Sequence, residues 1–290
     1  MKKFAVIDVG SNSVRLMLVA DGKVLYKTLE TTRLGEGLAH SKTLKQEAIS
    51  RSAKAVASFY FQAIDEGAER VYSFATAAVR TAENGREFLS AVKELCPLDI
   101  EILSGEEEGE VGILGALGNG DGGVIDVGGA SAEIAIRKTG ETIYKKSVDV
   151  GIVRLKDACG TDKDALTAFS EEKVKEYGVL PDFGNMYAIG GTATTLAAYK
   201  LGLKIYDSKK VTGTAITAKE MSDMAETLLS LSVEEIAALS GIPKGRADVI
   251  GGGALYFSVL MKTLGITEIT VSDRDNLEGY AIKRGLMDER

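Results

Sequence analysis

Short apolar runs alternate along the chain with segments of helical periodicity. One run, Val-Ile-Asp-Val-Gly, occurs at positions 6–10 and again, letter for letter, at 124–128. Each copy reaches an aspartate, Asp8 or Asp126, and continues through a turn (Gly-Ser-Asn-Ser or Gly-Gly-Ala-Ser) into a second apolar run. This pattern predicts a β-hairpin with a polar tip. Because the unit is repeated, we predict two halves built in the same way.

Apolar spacings of three and four residues predict helices between the strands. Capping boxes mark helix starts at Thr43/Gln46, Ser104/Glu107, Thr217/Glu220 and Ser232/Glu235. Other helices are predicted at 84 onward, 163–177, 190 onward, 248–264 and the C-terminus, with strands near 70–74, 98–103, 186–189 and 268–271. The alternation predicts an α/β protein of two similar domains, each a mixed sheet flanked by helices. A glycine-rich stretch at 118–123 suggests the domains 1–118 and 119–275.

Composition and charge remove several classes of function. The 35 basic and 42 acidic residues give a net charge of −7, which repels nucleic acid and anionic membranes, so we expect neither as a partner. The longest nearly apolar run, 249–261, is shorter than the ~20 residues of a membrane helix, and no signal-peptide core is evident, so we expect a cytoplasmic protein. The two cysteines form no zinc or disulfide pattern. The single histidine, His40, leaves catalysis mainly to carboxylates, hydroxyls, lysine and arginine.

The duplicated tips are the strongest candidates for chemistry. If they face each other across a cleft, their amides and hydroxyls can bind phosphate, and Asp8 and Asp126 can bind Mg²⁺. The alternative is that each aspartate only stabilises its own turn, and the second identical copy favours the site. A third segment, Gly190-Gly191-Thr192, passes from a strand into a helix and could receive a phosphate, or could simply cap the helix.

Charged residues near these segments add candidates for catalysis and binding. Glutamates at 106, 107, 108 and 110 begin one helix, and any of them that points into the cleft could act as a general base on water. Arg15, Arg80 and Arg154 lie beside Ser/Thr/Gly-rich stretches, as phosphate-binding arginines often do, although each alone is more typical of a structural role.

Taken together, these motifs resemble the exopolyphosphatase and guanosine pentaphosphate phosphatase family, in its short form. The matching segments are 8–16, 75–80, 104–108, 125–133, 151–155, 190–195 and 246–250. The resemblance implies a duplicated fold of the actin/Hsp70/sugar-kinase type (ribonuclease H-like) with the active cleft between the domains. It also implies that a last helix, at about 276–290, returns to the first domain.

Residue roles follow from the resemblance by position. It implies that Glu108 is the catalytic base and that Asp126, with its counterpart Asp8, is associated with Mg²⁺. The implied phosphate-binding residues are Ser11, Asn12, Arg15, Thr76, Arg80, Gly128, Gly129, Ser131, Glu133, Gly190, Gly191 and Thr192.

The implied reaction is Mg²⁺-dependent hydrolysis of a terminal phosphoanhydride, releasing orthophosphate from inorganic polyphosphate. Alternatives are a guanosine pentaphosphate phosphohydrolase, a non-catalytic nucleotide- or alarmone-binding regulator, and a small-molecule kinase. Two arginines usual in the family are replaced, by Glu110 and Leu277, which weakens the case for processive attack on long chains and keeps the regulator open. The oligomeric state, including a homodimer, and a need for potassium stay open.

Overall fold

The computed structural model describes residues 2–288 and contains two β-sheets flanked by helices. The strands are β1 (Lys3–Val9), β2 (Ser13–Ala20), β3 (Lys23–Thr31), β4 (Arg70–Ala75), β5 (Glu101–Ile102), β6 (Gly122–Val127), β7 (Ala132–Lys138), β8 (Glu141–Val148), β9 (Met186–Ile189), β10 (Ala215–Thr217) and β11 (Glu268–Val271). The helices are α1 (Gln46–Asp65), α2 (Ala77–Thr81), α3 (Gly85–Leu95), α4 (Gly105–Leu117), α5 (Ile152–Cys159), α6 (Lys163–Val174), α7 (Gly190–Lys200), α8 (Ser208–Val211), α9 (Ala218–Ser230), α10 (Val233–Ala238), α11 (Ile250–Thr263) and α12 (Asn276–Lys283), with 3₁₀ turns at Lys175–Tyr177 and Lys244–Arg246.

The two sheets share one topology. The first has the order β3-β2-β1-β4-β5, and the second has β8-β7-β6-β9-β11 with β10 added at its edge. In both sheets the three hairpin strands pair antiparallel, and the two pairings on the other side of the central strand are parallel. The added strand β10 pairs antiparallel with β11. The repeat extends to the register, because Asp8 pairs with Arg15 and Asp126 pairs with Glu133. This is the duplicated α/β architecture predicted from the repeat.

Helices α4 and α12 lie between the two sheets. On one side, Ile113 of α4 packs with Val124, Ala135 and Ile189 of the second sheet. On the other side, α12 packs against the first sheet, where the rings of Tyr280 and Phe74 are 4.7 Å apart. Helices α1 and α3 contribute to the core on the outer face of the first sheet, and α6, α7, α9 and α11 contribute to the larger core of the second. The inner layer therefore positions α4, whose first turns carry Glu108.

Local signals predicted most helix starts correctly, with informative exceptions. The capping boxes at Ser104, Thr217 and Ser232 form as predicted. The predicted box at Thr43 is wrong: α1 follows Lys45 without a side-chain cap, and the Thr43 hydroxyl lies 2.9 Å from Ser41 Oγ instead. The strand predicted at 98–103 shortens to β5, because only its two residues pair with β4. Within residues 2–288, no helix has the length and apolar character needed to cross a membrane.

Candidate active site

The polar tips of the two hairpins meet in the middle of the molecule. A Cβ atom at Gly129 would lie 2.8 Å from Ser11 Cβ and 3.0 Å from Asn12 N, so the tips can touch only because residue 129 is glycine. Beside this contact is a cleft with an empty volume of about 580 Å³. Thirteen of the residues singled out in the sequence line it: Asp8, Ser11, Asn12, Arg15, Thr76, Glu108, Asp126, Gly128, Gly129, Ser131, Gly190, Gly191 and Thr192.

Glu108 lines the cleft from the first turn of α4, where the Ser104 capping box fixes the helix start. It is buried, and its Oε2 accepts a 2.7 Å hydrogen bond from Arg80 Nη1. Burial, reinforced by the negative charge of Glu133, raises the pKa of Glu108 well above its usual value despite the opposing effect of Arg80. A carboxylate with a raised pKa is a stronger base, which suits a group that takes a proton from water.

Two predicted phosphate-binding residues, Arg80 and Glu133, lie outside the cleft lining. Arg80 also donates to the carbonyl of Leu103 at 2.7 Å, so its guanidinium is held behind Glu108. Glu133 is buried, and its Oε1 accepts a 2.7 Å hydrogen bond from Ser147. Both side chains therefore interact with protein groups. Arg80 binds the Glu108 carboxylate, and the negative charge of Glu133 raises the pKa of Glu108.

Arg15 lies between two carboxylates. Its Nε donates to Asp8 Oδ2 at 2.9 Å, and its guanidinium also pairs with Asp275 at the start of α12. Burial would raise the pKa of Asp275, but the positive charges of Arg15 and Lys27 hold it below its usual range. For Asp8, the effect of burial prevails over that of Arg15, and its pKa is raised. Much of the charge of Arg15 is therefore compensated before any ligand binds.

Asp126 is held at the end of β6 by groups from the second half and from α12. Its Oδ2 accepts a 2.8 Å hydrogen bond from Asn276 Nδ2, and its Oδ1 lies against Gly190. Gly190 has φ of +78°, and a Cβ there would lie 2.3 Å from Asp126 Oδ1, so both backbone conformation and space require glycine. Burial, then the negative charge of Asp275, raise the pKa of Asp126 to about 8.

The third predicted segment begins α7 at the cleft. Thr192 Oγ1 donates to the carbonyl of Val127 at 2.7 Å, which fixes the helix start to the end of β6. Helix α7 begins at Gly190 and has 11 residues, and its first three line the cleft. Free amides and the helix dipole at this end favour an anion.

Arg246 is the main cleft residue to which sequence reasoning gave no role. It lies in the 3₁₀ turn Lys244–Arg246, is buried, and its guanidinium lies against Gly191. Burial and the nearby positive charge of Arg15 lower its pKa to about 10, so it remains protonated at neutral pH. Within residues 2–288, Arg246 forms no ion pair, which leaves its charge free for an anionic ligand. The signal available in the sequence was only its place in the matching segment 246–250.

A loop of the first half contacts the second half beside the first tip. The amides of Arg33 and Gly35 donate to the carbonyls of Asn12 and Ser11, respectively. Farther along, Arg33 pairs with Asp248 at 2.7 Å, and the amide of Gly37 donates to Asp157 Oδ2 at 2.6 Å. This loop therefore connects the halves directly next to the cleft.

The carboxylates of Asp8 and Asp126 fit a magnesium ion that is bound jointly by the protein and by a substrate phosphate. Asp8 Oδ1 is buried without a hydrogen-bond partner among the residues that the structure describes, as expected of an oxygen available to a cation. Over the same residues, no group of three or more His, Cys, Asp or Glu side chains is arranged to hold a metal alone. Mg²⁺ is commonly bound by one or two carboxylates together with substrate phosphate and water, which matches the presence of Asp8 and Asp126 in the cleft lining.

Comparison with known proteins identifies the family. The model of the Ppx/GppA phosphatase family matches residues 5–286. Exopolyphosphatase 2 of Mycobacterium tuberculosis is 29% identical, over 97% of this chain and 98% of that protein. The guanosine-5'-triphosphate,3'-diphosphate pyrophosphatase of Aeromonas hydrophila is 28% identical over 98% of this chain, which spans 58% of that protein. The crystal structure of the Aquifex aeolicus Ppx/GppA family member aligns with a TM-score of 0.78 and 27% identity, over 98% of both chains. The chain therefore belongs to the Ppx/GppA phosphatase family.

Proposed function

We propose that this protein is a Mg²⁺-dependent phosphoanhydride hydrolase of the exopolyphosphatase type, which releases orthophosphate from the end of inorganic polyphosphate. The observation that carries the proposal is one cleft that combines two glycine-containing hairpin tips, the carboxyl of Glu108 and the guanidinium of Arg246, which has no ion pair within residues 2–288. Amides and arginine suit a phosphate, and the carboxyl suits activation of water. The cytoplasmic location predicted from the sequence stays a prediction.

Binding of the terminal phosphate is assigned to the backbone amides of the two tips, the start of α7 and Arg246. Amides in glycine-rich turns and at helix starts bind anions through oriented dipoles. Arg246 adds charge-assisted hydrogen bonds, which are about twice as strong as neutral ones. Because the guanidinium is already buried, most of the cost of removing this charge from water is met by folding and not by phosphate binding.

Glu108 acts in the proposal as the general base. The Arg80 hydrogen bond fixes one carboxylate oxygen, and its raised pKa prepares the group to take a proton from the attacking water. Asp8 and Asp126 would hold Mg²⁺, which when bound neutralises charge on the phosphate oxygens. The amides and Arg246 then stabilise the charge that develops during transfer of the phosphoryl group to water.

Guanosine pentaphosphate is the second candidate substrate. The similarity to guanosine-5'-triphosphate,3'-diphosphate pyrophosphatases supports it, and its terminal phosphate also ends a phosphoanhydride chain. Polyphosphate is placed first because the exopolyphosphatase relative matches over nearly its full length, whereas this chain spans 58% of the Aeromonas hydrophila enzyme.

One experiment separates the alternatives. Phosphate release is measured from polyphosphate of several chain lengths and from guanosine pentaphosphate, with and without Mg²⁺. We expect Mg²⁺-dependent release, fastest from polyphosphate. Binding without release from any substrate would favour a non-catalytic regulator, and transfer of phosphate to an acceptor in place of release would favour a kinase.

A further inference from the structure

The first turn of α12 reaches the active cleft from the layer between the sheets. Asp275 caps the helix, because its Oδ1 accepts from the amide of Leu277 at 3.0 Å and its own amide donates to Glu278 at 3.1 Å. The next residue, Asn276, is buried and lines the cleft. The cap fixes both residues at the start of the helix.

Close contact with α4 holds this turn in place. A Cβ at Gly115 would lie 1.9 Å from the carbonyl oxygen of Asp275, and one at Gly279 would lie 1.8 Å from that of Val111. Arg274 Nε also donates to the carbonyl of Gly115 at 3.0 Å. The turn is therefore set at a short distance from the helix that carries Glu108.

From this fixed position, neighbouring side chains reach two different parts of the site. Asp275 pairs with Arg15 of the first half, and Asn276 Nδ2 donates to Asp126 Oδ2 of the second half at 2.8 Å. The Asn276 amide is not needed for the helix, because the Asp275/Glu278 box already caps it. Among residues 2–288, the other amide atom, Oδ1, has no hydrogen-bond partner, so the contact with Asp126 is the one made by this side-chain amide.

We infer that Asn276 is a positioning residue, which orients the carboxylate of Asp126 for cation binding. The inference rests on the proposed function, in which Asp126 holds Mg²⁺. A hydrogen bond to one carboxylate oxygen limits rotation of the group, and the Gly190 backbone limits it on the other side. Partners of this kind, which hold a metal-binding side chain without touching the metal, typically contribute about 10- to 100-fold to metal affinity.

The test compares metal binding in the full-length protein in the presence of inorganic phosphate, which stands in for the substrate phosphate that would share the metal. Asn276→Leu keeps the approximate side-chain size but removes the donor. Asn276→Ala removes the donor without adding bulk beside Gly112, where an added Cβ would lie 3.2 Å from Asn276 Oδ1. Asn119→Leu, at an exposed turn after α4, is the matched control. Mn²⁺, used as the probe for Mg²⁺, is titrated by calorimetry, and thermal unfolding shows whether each variant is folded.

We expect both Asn276 variants to bind Mn²⁺ about tenfold or more weakly, with Asn119→Leu unchanged. In turnover assays the same variants should need more Mg²⁺ for half-maximal rate, while KM for polyphosphate at saturating Mg²⁺ stays near that of the wild type. Wild-type Mn²⁺ affinity in a folded Asn276 variant would overturn the inference, and so would a wild-type protein that binds no Mn²⁺. Absence of phosphate release by a wild-type protein that does bind Mn²⁺ would instead refute the proposed function, and the binding comparison would still decide the role of Asn276.

Discussion

Replacing Glu108 by glutamine gives the most direct test of the proposed chemistry. The glutamine carbonyl can still accept the 2.7 Å hydrogen bond from Arg80 Nη1, so the geometry around α4 should persist. The amide cannot accept a proton from water, and loss of a general base typically costs about 10²- to 10⁴-fold in rate. At ~1.4 kcal/mol for each tenfold change, this corresponds to roughly 3 to 6 kcal/mol of transition-state stabilisation.

Stability should change little in this variant. The Glu108 carboxyl is buried beside Glu133, and a neutral amide removes the repulsion between them while it leaves Arg80 without its buried counter-charge. We therefore expect a similar thermal midpoint, with kcat for phosphate release reduced and KM for polyphosphate nearly unchanged. Such a split would indicate loss of an interaction made during the chemical step.

Glu106→Gln is the matched control for Glu108→Gln. Glu106 lies in the same first turn of α4, but its side chain is 66% exposed and pairs with Lys145 at 3.1 Å. It should retain wild-type turnover. Near-normal phosphate release by folded Glu108→Gln, or an equal loss in Glu106→Gln, would refute the assignment of Glu108 as the base.

Other parts of the site give three further predictions. Arg246→Met should raise KM for polyphosphate by about 10- to 100-fold, because a charged hydrogen bond to the phosphate is lost. Arg70→Met, at an exposed position, should leave KM unchanged, and equal KM values for the two variants would contradict phosphate binding by Arg246. Gly190→Ala should lower the free energy of unfolding by about 1 to 3 kcal/mol, measured by urea denaturation, because alanine is strained at φ of +78° and its Cβ would meet Asp126. Burial raises the pKa of Glu133 to about 7 and that of Asp126 to about 8. The folded state therefore retains protons that the unfolded chain has released. Without divalent cations, the free energy of unfolding should fall as the pH rises from 5 to 8. In Glu133→Gln, the free energy of unfolding measured by urea denaturation should differ less between pH 5 and pH 8. The same decrease as in the wild type would contradict the contribution assigned to Glu133.

Local patterns predicted the elements of the fold because the interactions behind them are close in sequence. The repeated Val-Ile-Asp-Val-Gly unit predicted two hairpins, and the structure has both, with the same strand order in each sheet. The capping boxes at Ser104, Thr217 and Ser232 involve residues three positions apart, and all three form. Thr43 shows the limit of such signals, because its hydroxyl contacts Ser41 and leaves α1 without a side-chain cap.

Partners distant in sequence were decided only by the tertiary structure. Nothing near Arg15 indicates that Asp275 compensates its charge, and nothing near Asp126 indicates that Asn276 holds it. Arg80, expected at the phosphate, is held behind Glu108. Arg246 stands out only after folding, when burial beside Gly191 leaves its charge unpaired within residues 2–288. The local sequence determines backbone conformation through short-range hydrogen bonds and apolar spacing. Charge compensation depends instead on side chains that are distant in sequence, and the packing of α4 and α12 between the sheets decides which of them meet.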